Sequence, residues 1–169
     1  MAWRRVVVAG VAAVGLTSMP SQAAPVDVAC RLEVVPAAVQ APVRLRLTLI
    51  NRSPAVVWAL VWGTPFEGWM QPFVQLTRDG VELPYRGPAV KRGDPDPDEY
   101  LRLVPRRPRS RTFMLSPAFD VDGPGLYRVE PRLVLHDVHA GRHVTQPSRP
   151  RGRHQPALLD CNAVEFTRP

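Results

Sequence analysis

"VRLRLTLIN" (residues 43–51) decides the fold. Val43, Leu45, Leu47 and Leu49 alternate with Arg44, Arg46, Thr48 and Ile50. A repeat of two places one set on one face of an extended strand and the other set on the opposite face, which a helix of 3.6 residues per turn would not do. The signature recurs on both sides. "CRLEV" (30–34) alternates charge with apolar residues, and "AVVWALVW" (55–62) is continuously apolar, as a central strand would be. "PFVQLTRDGVELPY" (72–85) predicts a hairpin about Asp79-Gly80, a pair that accepts the positive φ angles of a tight turn. "EYLRLV" (99–104) and "RTFML" (111–115) predict two more strands, joined by the loop "PRRPRS". "GLYRVEPRLVLHDV" (125–138) reads as one long strand with a bulge at Pro131. After a polar loop at 139–156, "ALLDCNAVEF" (157–166) reads as the last strand.

Twenty prolines break the windows that a long helix would need. About seven to nine short strands with turns between them predict an all-β protein, an antiparallel β-sandwich of immunoglobulin-like type. Within "DVDGPGLYRV" (120–129), Gly125 and Tyr127 open a late strand in the manner of a tyrosine corner, whose hydroxyl bonds back to preceding backbone. There are no internal repeats and no composition break, so one domain over 24–169 is expected.

"MAWRRVVVAGVAAVGLTSMPSQA" (1–23) has the basic start, short apolar run and small-x-small end of a signal peptide, with Ser21 and Ala23 before the cut. A bacterial protein exported to the periplasm or beyond is therefore expected, soluble once the leader is removed. The only cysteines, Cys30 and Cys161, lie near the two ends of that mature chain, and in an oxidising compartment a lone pair is most simply a disulfide. The formal net charge is +7, supplied by arginine with one lysine, Lys91. The arginines lie on alternating strands and in two loops without the interleaved aromatics that stack single strands, so nucleic acid is not expected as a partner.

Chemistry finds no frame in this sequence. There is no Gly-x-Ser-x-Gly elbow, no His-Glu-x-x-His and no Gly-rich phosphate loop. "HDVHAGRH" offers His136, His139 and His143, with His154 beyond, but at spacings that do not converge like zinc ligands, so no metal is expected. Asp94, Asp96, Asp98 and Glu99 in "GDPDPDEY" lack the central glycine of a calcium loop, and Pro95 and Pro97 predict an extended, solvated segment. Asn51-Arg52-Ser53 matches a glycosylation acceptor, idle in a bacterial context. The expectation is a protein that is not an enzyme, carries no cofactor and acts as a monomer.

"WGTPFEGW" (62–69) is too polar for continuous core and too aromatic for an ordinary loop. Two readings stand. Trp62, Phe66 and Trp69 form a ridge that caps the open end of the sandwich core, or they join the 86–92 loop in an exposed docking patch with Glu67 and Lys91 as polar contacts.

The run from 62 to 130 resembles the N-terminal domain of secreted deuterolysin-like zinc endopeptidases, in the peptidyl-Lys metalloendopeptidase branch. The matching residues are Trp62, Thr64, Pro65, Phe66, Glu67, Gly68, Asp79, Gly80, Tyr85, Gly87, Pro88, Lys91, Arg92, Tyr100, Asp120, Gly125 and Tyr127. "CNAVEF" is similar to that domain's final strand. Departures are Phe119, where tyrosine is usual, and the arginine-rich turn at 105–109, where Pro-Gly is usual. The resemblance implies a propeptide-like β-sandwich that assists or restrains a protease, here without the zinc-binding catalytic domain. A secreted zinc endopeptidase is the implied partner. Its contacts are expected at Trp62, Phe66, Glu67, Trp69, Tyr85, Lys91 and Arg92. Lys91 either mimics a lysine substrate or is a solvated loop cation. The competing functions are an adhesion or carbohydrate-binding module and a structural envelope protein.

Overall fold

The alternation at 43–51 becomes a strand in which Leu45, Leu47 and Leu49 are buried while Arg44 and Arg46 face solvent. The computed structural model describes residues 26–36, 41–141 and 149–169, so the expected signal peptide (1–23) and His143 lie outside the described residues. In chain order the strands are β1 (Val28–Val35), β2 (Arg44–Asn51), β3 (Val57–Leu60), β4 (Val74–Arg78), β5 (Val81–Glu82) and β6 (Tyr100–Leu103). They continue as β7 (Pro108–Met114), β8 (Gly125–Pro131), β9 (Val134–Leu135), β10 (Val138–Ala140), β11 (Ala157–Leu158) and β12 (Val164–Arg168). The protein is all-β. Its sheets have the orders β1-β2-β7, β12-β8-β4-β5, β10-β3-β6 and β11-β9, each strand pair antiparallel. An isolated parallel bridge joins Asn51 to Pro105.

One apolar core gathers the inward faces. Leu32, Leu45, Leu47 and Leu49 share it with Leu76, Tyr127 and Val129 of the four-stranded sheet and with Val57, Leu103, Leu135 and Val138 of the shorter ones. Each fully buried leucine stabilises by roughly 1.5–3 kcal/mol relative to exposure. β3 is buried along its whole length because β10 and β6 pair with both its edges, which explains its continuous apolar run. At the expected hairpin Asp79 and Gly80 take φ of 50° and 81°. Asp79 also accepts a 2.9 Å hydrogen bond from the Leu126 N–H, which ties the turn to the start of β8. The Tyr127 hydroxyl donates to the Gly123 carbonyl at 2.7 Å, and its ring stacks on Phe166.

Cys30 and Cys161 are disulfide-bonded, with Cα atoms 4.9 Å apart across 131 residues of chain. Closing a loop of that length stabilises by about 4–5 kcal/mol in the chain-entropy model. Next to it Asn162 holds both the N–H and the carbonyl of Leu32. β1 is thereby fastened to the segment leading into β12 both covalently and by hydrogen bonds. Asn51 is fully buried; its amide donates to the Ala55 and Leu103 carbonyls and its oxygen accepts from the Ser53 N–H. The glycosylation acceptor pattern thus contains a structural pin.

Several boundaries differ from expectation. Residues 125–138 are three strands in three sheets. β8 ends at Pro131, which has no N–H to give, and the following Arg132 N–H bonds to Phe73 instead. Residues 157–166 likewise divide into β11 and the start of β12 around the disulfide. Pro108, Arg109 and Ser110 are strand and not loop, since they pair with Ile50, Leu49 and Thr48 along the free edge of β2. In the acidic segment Pro97–Glu99 forms a 3₁₀ turn, because the Glu99 carboxylate folds back to accept from the Asp96 N–H at 2.8 Å. No helix of the described residues is long and apolar enough to cross a membrane.

Candidate functional site

Where β3 ends, the chain turns over through 62–69. Gly63 has φ 64°, which favours glycine, and a Cβ there would push aside the Gln71 amide. Thr64 closes the turn, its hydroxyl donating to the Val61 carbonyl at 2.6 Å. Glu67 reaches back to accept from the Gly63 N–H at 3.1 Å through one oxygen and from Arg92 through the other. Arg92 in turn lies over the Trp62 ring, 5.0 Å from its centroid, and the Trp62 indole N–H donates to Glu99 at 2.7 Å. Trp62, Glu67, Arg92 and Glu99 are therefore one frame of charge and aromatic surface.

Trp69 belongs to a different cluster. It stacks on Phe73 with centroids 4.0 Å apart and meets Phe113, Phe119 and Tyr85 edge-on or tilted, while its indole N–H donates to the Met114 carbonyl. These rings pack in and against the main core, and Phe66 packs half-buried against it as well. The single ridge expected from sequence is thus two clusters. Glu67 was read as a polar contact for a partner, but its carboxylate is 11% exposed and both oxygens are engaged internally. Gly63 and Arg92 supply the donors.

The segment from 83 to 96 has no regular secondary structure, yet it is fastened repeatedly. The Leu83 N–H donates to Leu76, that of Arg86 to Ala118 and that of Val90 to Met70. The Tyr85 hydroxyl donates to the Pro88 carbonyl at 2.9 Å, and a Cβ on Gly87 would collide with the Tyr85 ring. Arg92 is clamped by Glu67. Between these fixtures Val90 and Lys91 are exposed, and Lys91 makes no hydrogen bond or ion pair among the described residues.

Lys91 stands at the rim of a cleft of about 690 Å³ lined by Trp62, Gln71, Val90, Arg92, His136, Arg151, His154 and Pro156. His136, Arg151, His154 and Pro156 bring the chain after β9 into this cleft. The Arg151 guanidinium donates to the Arg92 carbonyl at 2.8 Å and its N–H to Asp94 at 3.0 Å. His154 meets Trp62 edge-on, and His136 contacts the Gln71 amide nitrogen at 3.1 Å. With that amide donating, the His136 Nε2 accepts and the ring is neutral. Burial first, then the neighbouring His154, Arg92 and Arg151, push the His136 pKa down against the opposing pull of Glu67.

Next to His136, Asp137 is fully buried. Burial alone would raise its pKa, but hydrogen bonds from Arg149, the Gln155 N–H and Tyr100, with the charge of Arg149, hold it below the ordinary value. Tyr100 is pushed up, by burial first and then by Asp137. His139 packs against Tyr100 and is pushed down by burial and by Arg149. His136, His139 and His154 thus serve separate contacts, and among the described residues no three His, Cys, Asp or Glu are grouped to hold a metal ion.

The structure brings Trp62, Glu67, Arg92 and Lys91 to one side of the turn and Tyr85 with Trp69 to the other. Sequence reasoning missed Gln71, Arg151 and the pin formed by Asp137 and Arg149, and it placed His136 and His154 in no site. Nothing in the local pattern links 151–154 to 62, because that adjacency depends on the path of the chain after β10. Comparison with models of known protein families gives no match, and neither does comparison with curated proteins.

Proposed function

We propose that this protein is a secreted, non-enzymatic protease-binding protein, an inhibitor or folding helper built on an immunoglobulin-like β-sandwich. The contact segment is 85–92, with Lys91 as the residue offered to the partner. The observation that carries this reading is the position of Lys91. The chain's sole lysine is exposed, free of partners among the described residues, and held in a segment fixed before it at Tyr85, Arg86 and Val90 and after it at Arg92. A segment already fixed at several points loses little conformational freedom on binding. A lysine side chain is a compact point charge on a flexible stem, suited to an acidic specificity pocket. Exposed Met70 and Val90 flank it with apolar surface.

The partner this favours is a secreted zinc endopeptidase selective for lysine, in keeping with the resemblance of residues 62–130 to the N-terminal domain of such enzymes. The disulfide is compatible with a secreted or periplasmic location. A flat sugar-binding platform is less favoured, since Trp62 is buried and Trp69 is stacked on Phe73.

The test is inhibition of a purified peptidyl-Lys metalloendopeptidase by residues 24–169, with Lys91→Ala in parallel. Inhibition lost in the variant supports both partner and mechanism. Inhibition that persists keeps the partner and removes Lys91 as the contact. Absence of inhibition, or simple digestion at Lys91, rejects this target.

A further inference from the structure

The clefts of this protein differ in the charge of their walls. One of about 480 Å³ beside the disulfide is lined by Arg52 together with Asp27 and Asp160, and one of about 270 Å³ by Arg168 together with Asp122. The cleft of about 690 Å³ beside Trp62 carries one sign only. Lys91, Arg92 and Arg151 line it with His136 and His154, and no carboxylate does so among the described residues.

The acids that touch its walls are engaged. Glu67 accepts from Arg92 and from the Gly63 N–H, Glu99 from the Trp62 indole and the Asp96 N–H, and Asp94 from the backbone N–H of Arg151. Arg92 is thereby neutralised by Glu67. The Arg151 guanidinium bonds the Arg92 carbonyl at 2.8 Å and no acid, and the Lys91 ammonium bonds nothing, among the described residues. Two cations therefore share one concavity without a carboxylate partner. Walls of low dielectric focus such a field, whereas charges on an open face are screened by water and salt. His136 senses it: burial first, then His154, Arg92 and Arg151, lower its pKa against the pull of Glu67.

A bare phosphate would fill only a small part of this space, which lies within the range of about 300–1,000 Å³ that small-molecule sites occupy. Val90 and Pro156 line the remainder with apolar surface.

We propose that this cleft binds a small organic anion, a phosphate ester or a polycarboxylate, whose charged oxygens pair with Lys91 and Arg151 and whose organic body lies against Val90 and Pro156. A guanidinium fork bonds two oxygens of one anion at once, and the ammonium adds a compact point charge. This inference does not rest on the protease-binding reading, although Lys91 serves both.

The experiment is titration calorimetry of residues 24–169 with phenyl phosphate, citrate and phenol at about 0.05 M salt. Phenyl phosphate and citrate separate a phosphate ester from a polycarboxylate, and phenol carries an organic body without the charge. At least one of the two anions is expected to bind with a Kd of about 1 mM or tighter, and phenol is not. Lys91→Gln and Arg151→Gln should each weaken that binding about 10-fold, and Arg52→Gln, in the cleft beside the disulfide, less than about 2-fold. No binding of either anion, equal binding of phenol, or an equal loss in Arg52→Gln would overturn the proposal. So would full retention of binding in both Lys91→Gln and Arg151→Gln. Unchanged thermal unfolding of Lys91→Gln verifies that lost binding is not lost folding. Failure to inhibit a protease leaves this result untouched, since no protease enters the titration.

Discussion

Trp62 and Trp69 close the two ends of one eight-residue turn, yet they live in different physical worlds. Trp69 is held by four other aromatic rings and spends its indole N–H on a backbone carbonyl. Trp62 packs with Trp58, Leu60 and Tyr100 but also meets charged groups, Arg92 over its face and Glu99 at its nitrogen, with His154 at its edge. The first environment is dispersive and indifferent to protonation, whereas the second adds to its apolar packing a dependence on the charges of Arg92 and Glu99. One turn therefore fastens the apolar core on one side and the segment carrying Lys91 on the other.

Removing the apolar half has the largest expected effect. Trp69→Ala leaves a gap among Phe73, Phe113, Phe119 and Tyr85 and is expected to destabilise by about 3 kcal/mol, measured by denaturant unfolding. The loss should be nearly the same at pH 5 and pH 7. If it were strongly pH-dependent, the distinction between the two tryptophans would fail.

Glu67→Gln acts on the other half. It leaves the Arg92 guanidinium without its main partner and weakens the acceptor for the Gly63 N–H, at an expected cost of about 2 kcal/mol. The more telling readout is local: proteolytic nicking within 85–96 should rise in Glu67→Gln and remain low in Trp69→Ala at matched global stability. Equal nicking in the two variants would mean that Glu67 does not fasten the segment.

Acid provides a third contrast. His136 and His139 have pKa values lowered by the fold, so as pH falls the unfolded chain takes up their protons first. Their contribution is complete above the unfolded value of about 6.5 and declines as pH drops below it. Asp137, also lowered, adds a further loss below its unfolded value of 3.8, continuing until its folded pKa is passed. Unfolding midpoints should therefore fall between pH 7 and 5, and His136→Gln should flatten that slope. An unchanged slope would remove His136 from the account.

Lys91→Ala should have the smallest effect on the fold, within about 0.5 kcal/mol, because the side chain is exposed and unpaired among the described residues. A larger shift in the unfolding midpoint would show that Lys91 is part of the frame around Trp62.

Much of the fold was legible in the sequence, and the candidate site was legible only in part. The faces of β2, the turn at Asp79-Gly80 and the pairing of the two cysteines followed from residue type and neighbours. The long reading of 125–138 was wrong because period-two alternation continues unbroken while the chain passes from one sheet to another. Alternation reports which side is buried and not which sheet buries it. Lys91 stood out in the sequence as its one lysine, but that the adjacent Arg92 is held by an acid was not legible there.

What the sequence by itself determined is local: extended conformation where apolar residues alternate, a reversal where Asp79 and Gly80 accept positive φ, and the pairing of its two cysteines. Tertiary structure alone decided that Glu67 faces inward to Arg92, that the two tryptophans part company, and that Arg151 and His154 line the same cleft as Lys91. The reason is physical. Backbone preference and hydrophobic patterning act over a few residues, whereas an ion pair or a cleft needs side chains from distant positions, and their meeting depends on how the whole chain is routed.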